Sequence, residues 1–346
     1  TELPSDFLSR DAVQRAAYGS GVYSKSGCNI GNYYAPPSEE CIANITSEKV
    51  RNFKNNQFYG ENIVISAVGV EHEYFVDLVN KHFSGIKSNA KQWSVRNSKF
   101  QTPMQPKEVP AYTRFTGGAV VETRELKEPF VKTCVAFEIG GWHDEMLIAT
   151  CVTQMLLGGG SSFSAGGPGK GMYTRLYKDV LNKHYWIESA QSFVTIQEGC
   201  GLIGIDGACA PDRVSDMIQV IVDQIYSLAA IPVTGIELSR AKNMLKSMMF
   251  MQLESRLVLC EDLSRQYTTY GTRADPATLR VQIDAITAED VMAVAKRAMN
   301  NFDENDEFVG PAVSCVGADV SQFPQYAVIK NFTKEYRAAV IEKYGA

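Results

Sequence analysis

The chain has 346 residues, 45% of them hydrophobic and 21% charged, an ordinary globular balance with length enough for two domains and a large core. A formal net charge of −5 offers no basic surface for a nucleic acid, so none is expected as a partner. No stretch approaches the roughly 20 apolar residues that a membrane-spanning helix needs.

The chain opens Thr1-Glu2-Leu3-Pro4, without Met, a basic apolar signal or an Arg-rich presequence. It is therefore expected to start after processing or within a longer protein. Tyr18-Gly19 comes next, and then Ile45-Thr46-Ser47-Glu48-Lys49-Val50 begins a block. Thr46 can cap an amphipathic helix, and Ile63-Val64-Ile65-Ser66-Ala67-Val68-Gly69 reads as an apolar strand closed by glycine. Residues Ser88 to Thr116 are rich in Lys, Gln and Ser, carry Pro103, Pro106 and Pro110, show no period and read as a linker.

Beyond the linker, Ala119 to Glu125 and Phe130 to Ile139 are expected as strands. A helix is expected to begin at Asp144 and run to Leu157. Glycines dominate up to Gly171, and a further helix runs through Leu181. Trp186 to Ile196 and Gly201 to Cys209 read as a strand pair. From Pro211 the apolar spacing Val214, Met217, Ile218, Ile221, Ile225, Leu228 is a helical stripe. Thr234 and Glu237 form a capping box for the next helix. Near the end the earlier order returns. Tyr270-Gly271 precedes Ile286-Thr287-Ala288-Glu289-Asp290-Val291, and Val313-Ser314-Cys315-Val316-Gly317 follows. The repeat predicts two related α+β domains, each with helices against a sheet. The first spans 1–87, the linker 88–116 and the second 117–346. The second copy has a long segment before its Tyr-Gly and the first has little, so the first is expected to lack its opening half here.

The eight cysteines include no Cys-x-x-Cys pair, and most sit in apolar runs, which points to buried thiols in a reducing compartment. Four histidines stand at positions 72, 82, 143 and 184, none four residues from another. Glu71-His72-Glu73 would need a second His at position 68 or 76 to ligate zinc from one helix, and both are valine. It reads as a helix start, and no metal or other cofactor is expected in this chain. Ser161, Ser162 and Ser164 have no placed histidine or acid beside them, so no catalytic residue is assigned.

The most unusual stretch is Gly158, Gly159, Gly160, Ser161, Ser162, Phe163, Ser164, Ala165, Gly166, Gly167, Pro168, Gly169, Lys170 and Gly171. Seven glycines in 14 residues are costly to order, and a plain helix connection does not need them. A phosphate-binding loop fails, because Ser164 stands where that motif needs glycine and Gly171 where it needs Ser or Thr. Two readings stay open: a tether, or a loop that closes over an extended ligand with Phe163 as its apolar contact. Lys170 is either solvated or placed to touch a ligand carbonyl. These residues are the candidate substrate-binding site.

Leu157 to Tyr177, ending Gly171-Met172-Tyr173-Thr174-Arg175-Leu176-Tyr177, resembles the glycine-rich loop of the alpha subunits of mitochondrial processing peptidases. The resemblance extends through Val180-Leu181-Asn182, Trp186-Ile187-Glu188-Ser189-Ala190, Glu254-Ser255-Arg256 to Asp262, and Gly69-Val70-Glu71-His72-Glu73. These subunits belong to the pitrilysin-like metallopeptidases, which also include the core proteins of respiratory complex III. The resemblance implies two homologous domains around a chamber. It implies a non-catalytic subunit that holds presequence peptides for a zinc-containing catalytic beta subunit, as a heterodimer. It further implies a mitochondrial location, in the matrix or on the matrix side of the inner membrane, and allows membership of complex III. A purely structural core protein is the alternative.

Overall fold

The structure is a computed structural model, and it describes residues 4–19, 30–34, 39–88, 114–124, 129–159, 172–303 and 305–345. The chain divides into two compact units, each assembled from separate stretches. The first comprises residues 1–34, 106–245 and 282–346, and the second residues 35–105 and 246–281.

The first unit is built on a five-stranded sheet in the order β1-β5-β2-β4-β3. Its strands are β1 (Gly118–Thr123), β2 (Val131–Ile139), β3 (Ile187–Ile196), β4 (Gly201–Cys209) and β5 (Ala312–Gly317). β1 runs parallel to β5 and the other neighbours are antiparallel. Both faces are covered, which is why β4 and β5 are buried at every position and read as continuous apolar runs.

Helix α1 (Ser5–Tyr18) covers one face. Val13, Ala16 and Ala17 pack there on Cys134, Ala136, Leu202 and Ala312. Because strand side chains alternate, Val135 and Phe137 point to the other face. There the Phe137 ring lies 5.8 Å from Tyr226 of α6 (Val214–Ala230), the predicted apolar stripe. Helix α10 (Ala288–Met299) packs beside α6, and α5 (Leu147–Leu157) packs on α10 and β3. The last helix of this unit is α11 (Tyr326–Tyr344).

Charges fix α1 on its face. Arg10 reaches Asp206 of β4 at 3.1 Å, Lys132 reaches Asp6 at 2.8 Å, and Arg15 bridges Asp11 and Glu122 at 2.9 and 2.5 Å. Burial raises the Asp206 carboxyl, and Arg10 offsets part of that rise. The Ser314 hydroxyl on β5 donates to the Ser9 carbonyl at 2.8 Å.

The second unit holds α2 (Glu39–Ala43), α3 (Ser47–Gln57), α4 (His72–Phe83), α8 (Arg256–Tyr270), the end of α7 (Gly235–Leu253) and the start of α9 (Pro276–Ala285). Thr46 caps α3 by accepting from the Lys49 N–H at 3.3 Å, as read from the sequence. Thr287 caps α10 with a complete capping box.

The two repeats differ after their capped helices. The later one ends in β5. The earlier one, residues 63–69, was expected as a strand and forms none among the described residues. Its apolar pattern is that of a strand, but a ladder needs a neighbour, and the described part of this unit supplies none. The Ser66 hydroxyl donates to the Cys260 carbonyl on α8 at 2.9 Å, matching the Ser314–Ser9 contact. On α1, Asp11 accepts from Arg15 at 2.9 Å, and on α8, Asp262 accepts from Gln266 at 2.8 Å, each four residues on. Thus the helix ahead of the first block packs on the strand of the second, and the helix ahead of the second block packs on the extended segment of the first.

Smaller corrections are local. The expected helix from Asp144 starts at Leu147, because the Asp144 carboxylate closes a turn by accepting from the Met146 N–H at 2.8 Å. The expected helix through Leu181 is a wide helical turn over Leu176–Leu181, where the Asn182 N–H reaches back to the Tyr177 carbonyl. Most of the expected linker, 89–113, lies outside the described residues. Its far end, Phe115 and Thr116, joins the first unit. The Phe115 ring meets Tyr18 edge-on at 6.2 Å, and the Thr116 N–H donates to the Ala17 carbonyl at 2.8 Å.

Candidate functional site

The glycine-rich segment begins at the end of α5. Gly158 takes φ 147°, ψ 48°, a conformation that side chains rarely tolerate, and so ends the helix. The N–H groups of Gly158 and Gly159 donate to the Gln154 carbonyl at 3.0 and 2.8 Å. The Ser192 hydroxyl of edge strand β3 donates to the same carbonyl at 2.7 Å, and its N–H donates to the Gly158 carbonyl at 3.2 Å. Gly159 is buried, and a Cβ there would lie 2.5 Å from the Met155 methyl. The two described glycines of the predicted site, Gly158 and Gly159, are thus anchored to α5 and the sheet edge. Gly160 to Gly171, with Phe163 and Lys170, lie outside the described residues.

The chain returns beside its point of departure. A Cβ built on Gly158 would sit 3.3 Å from the Leu176 side chain and 3.4 Å from the Thr174 hydroxyl. At the return, Met172 and Tyr173 are exposed. The Arg240 guanidinium of α7 lies over the Tyr173 ring at 4.7 Å, and Arg175 pairs with Glu237 at 3.3 Å. Burial alone would raise the Glu237 carboxyl, but the Thr234 N–H and Arg175 outweigh it and hold the group below its usual value. The Thr234–Glu237 capping box was legible in the sequence, and its second use as the Arg175 anchor was not.

Next to the return lies a cleft of about 440 Å³ between the wide turn and α6, lined among others by Arg175, Asp179, Lys183, His184, Asp223 and Ser227. Its charges are mixed. Lys183 pairs with Asp179 at 2.8 Å, and Tyr336 donates to Asp223. The arrangement offers hydrogen bonding and charge but no paired nucleophile and base.

The described residues do not fit zinc. His72 opens α4, whose N-cap is Glu71; its carboxylate accepts from the Glu73 and Tyr74 N–H groups at 3.2 and 2.8 Å, a helix start as expected. His184 packs against Trp186 with ring centroids 5.3 Å apart. Among the described residues, no three His, Cys, Asp or Glu side chains converge in a way that could hold a metal ion. Cys134, Cys200, Cys209 and Cys315 are buried free thiols, and desolvation pushes each thiol up, to about 11 for Cys200 and Cys315 and about 12 for Cys209.

Residues 44–245 match the family described as the peptidase M16 inactive domain. The chain is 33% identical to the mitochondrial-processing peptidase subunit alpha of Pongo abelii over 93% of its own length and 58% of that protein. It is 32% identical to a probable mitochondrial-processing peptidase subunit alpha-2 of Arabidopsis thaliana, over 95% of this chain and 59% of that one. The chain thus spans somewhat over half the length of these relatives. A chain of complex III2 from Candida albicans, with Inz-5 bound, shares the fold at a TM-score of 0.72 and 15% identity, covering 95% of this chain and 70% of that one. With the family match extending over more than half of its residues, the chain belongs to the M16 peptidase family through its inactive domain.

Proposed function

We propose that this chain is the non-catalytic, substrate-recognising alpha-type subunit of a mitochondrial processing peptidase. The glycine-rich segment Gly158 to Gly171 holds extended presequence peptides of imported precursors. A catalytic beta subunit, the heterodimer partner, carries the zinc and the hydrolytic chemistry. The location is mitochondrial, in the matrix or on the matrix side of the inner membrane. The sequence domains 1–87 and 117–346, joined by 88–116, are read as homologous.

The observation that carries this reading is the mounting of the glycine segment. Its two ends meet at Gly158 and Leu176, beside the edge strand β3. A loop fixed at both ends can close on a peptide without disturbing the sheet, and a glycine-rich backbone puts no side chain in the way of main-chain pairing with an extended ligand. The relatives' shared name supports the same reading.

The test is to delete residues 160–169, which keeps the anchors Gly158 and Gly159. With the same beta subunit, presequence affinity and cleavage rate should both fall at least tenfold, or about 1.4 kcal/mol, while the heterodimer still forms. Affinity and rate unchanged within about twofold, less than ~0.5 kcal/mol, would sink the recognition role. A purely structural complex III core protein, which the shared fold favours, would then stand in its place.

A further inference from the structure

Helix α6 carries a polar edge beside its apolar stripe. Ser227 lies three residues beyond Gln224 and four beyond Asp223, so the three share one side of the helix. Across from them Arg175, Asp179 and Lys183 recur every four residues through the wide turn. The two rows line the cleft of about 440 Å³, a volume that suits a small molecule.

Gln224 is the unusual member. It is 7% exposed among the apolar residues of α6. Its backbone carbonyl accepts from the Ser227 hydroxyl at 3.2 Å, while its side-chain amide has no hydrogen-bond partner among the described residues. A covered amide left unpaired costs stability, and the open side available to it is the cleft.

The charges around it are unevenly used. Asp179 and Lys183 pair with each other at 2.8 Å and add no net charge. Asp223 accepts from the Tyr336 hydroxyl and has no cation partner among the described residues. Arg175 spends its Nε on Glu237 at 3.3 Å, and its two terminal nitrogens have no acceptor among the described residues. The cleft therefore offers one carboxylate, one guanidinium fork and an amide that can both donate and accept. A simple anion would leave Asp223 unpaired, and a simple cation would leave Arg175 unpaired.

We propose that this cleft binds a small zwitterion, a dipeptide with both ends free. Its ammonium pairs with Asp223, its carboxylate takes the terminal nitrogens of Arg175, and its peptide bond meets the Gln224 amide. The inference rests on the cleft alone and is independent of what the glycine segment binds.

Calorimetric titration of the full chain with glycylglycine tests it. Binding should saturate at one site per chain, with Kd near or below about 1 mM. N-acetylglycylglycine and glycylglycine amide, each lacking one terminal charge, should bind about tenfold more weakly or worse. Asp223→Asn keeps an acceptor for Tyr336 and should weaken glycylglycine about tenfold while leaving N-acetylglycylglycine unchanged. Arg175→Lys keeps the charge beside Glu237 but loses the fork, and should weaken glycylglycine while leaving glycylglycine amide unchanged. Both variants should unfold thermally as the parent does; if one does not, the other carries the test. No saturation up to about 10 mM would overturn the proposal and leave the cleft to water. Equal affinity for the three probes, or parent-like binding of glycylglycine by the folded variants, would overturn it as well.

Discussion

β5 and residues 63–69 are nearly the same sentence written twice, and they have opposite surroundings. Both follow a helix capped by threonine, and in both a serine hydroxyl donates to a carbonyl of a helix that ends in Tyr-Gly. β5 has neighbours on both edges and is buried throughout, whereas 63–69 has no strand partner among the described residues and is part exposed. The difference teaches that an apolar strand pattern encodes a need for neighbours and cannot supply them.

The sharpest way to break this contrast is a matched pair of truncations. Phe137→Ala removes a ring that is 1% exposed beneath α6 and should cost about 3–5 kcal/mol in urea unfolding. Phe53→Ala, at 63% exposure in the second unit, should stay within about 0.5 kcal/mol. Equal costs would show that the second unit has a core of its own.

A smaller effect is expected from Arg10→Ala. It strands the Asp206 carboxylate on the covered face of the sheet and should cost about 1–2 kcal/mol at neutral pH, discounted because Arg10 is part exposed. Burial already raises the Asp206 carboxyl. The neutral acid is therefore the form the fold prefers, and the penalty should shrink as pH falls and Asp206 takes a proton. A penalty that grows on acidification would contradict this.

Glu138 on β2 gives a comparable test. Burial raises its carboxyl to about 7, against the opposing pull of Arg297 and the Phe115 N–H. Its contribution to stability is present below the ordinary glutamate range and is lost as pH rises through about 7. Glu138→Gln should therefore be about 1 kcal/mol more stable than the parent at pH 8 and no more stable at pH 4.5. Denaturation midpoints that run parallel in pH would remove Glu138 as the cause.

The mildest probe is thiol labelling of the native chain. Cys41 in the second unit is exposed, while Cys134 and Cys315 are fully buried. Mass spectrometry should find Cys41 modified long before the other two, which should react only on unfolding. Equal rates would mean that the sheet opens as readily as the second unit.

What could be read from the sequence was what short-range chemistry decides. The caps at Thr46, Thr234 and Thr287, the strand Gly201–Cys209 and the stripe along α6 are set by neighbours a few residues away. Asp144, whose turn with Met146 delays the start of α5, also answers to a distant partner, Arg297, at 2.5 Å, which no local pattern announces. The partner of α1 was illegible for the same reason, since nothing near Ser9 points to Ser314. At the candidate site the glycine segment announced itself by composition. Its anchors Ser192 and Leu176 and the Tyr173–Arg240 contact did not, because they arise only once sheet and helices meet.

The seat of α1 on β5 also sets a timetable for synthesis. Ser9 and Ser314 are 305 residues apart, and a ribosome adding about 5–20 residues per second needs roughly 15–60 s to make the second after the first. Throughout that interval the apolar side of α1, with Val13, Ala16 and Ala17, has no strand β5 to lie on. Through that interval the nascent chain thus carries an amphipathic helix in search of a surface, a natural handle for a holding chaperone, and the first unit closes only when β5 emerges.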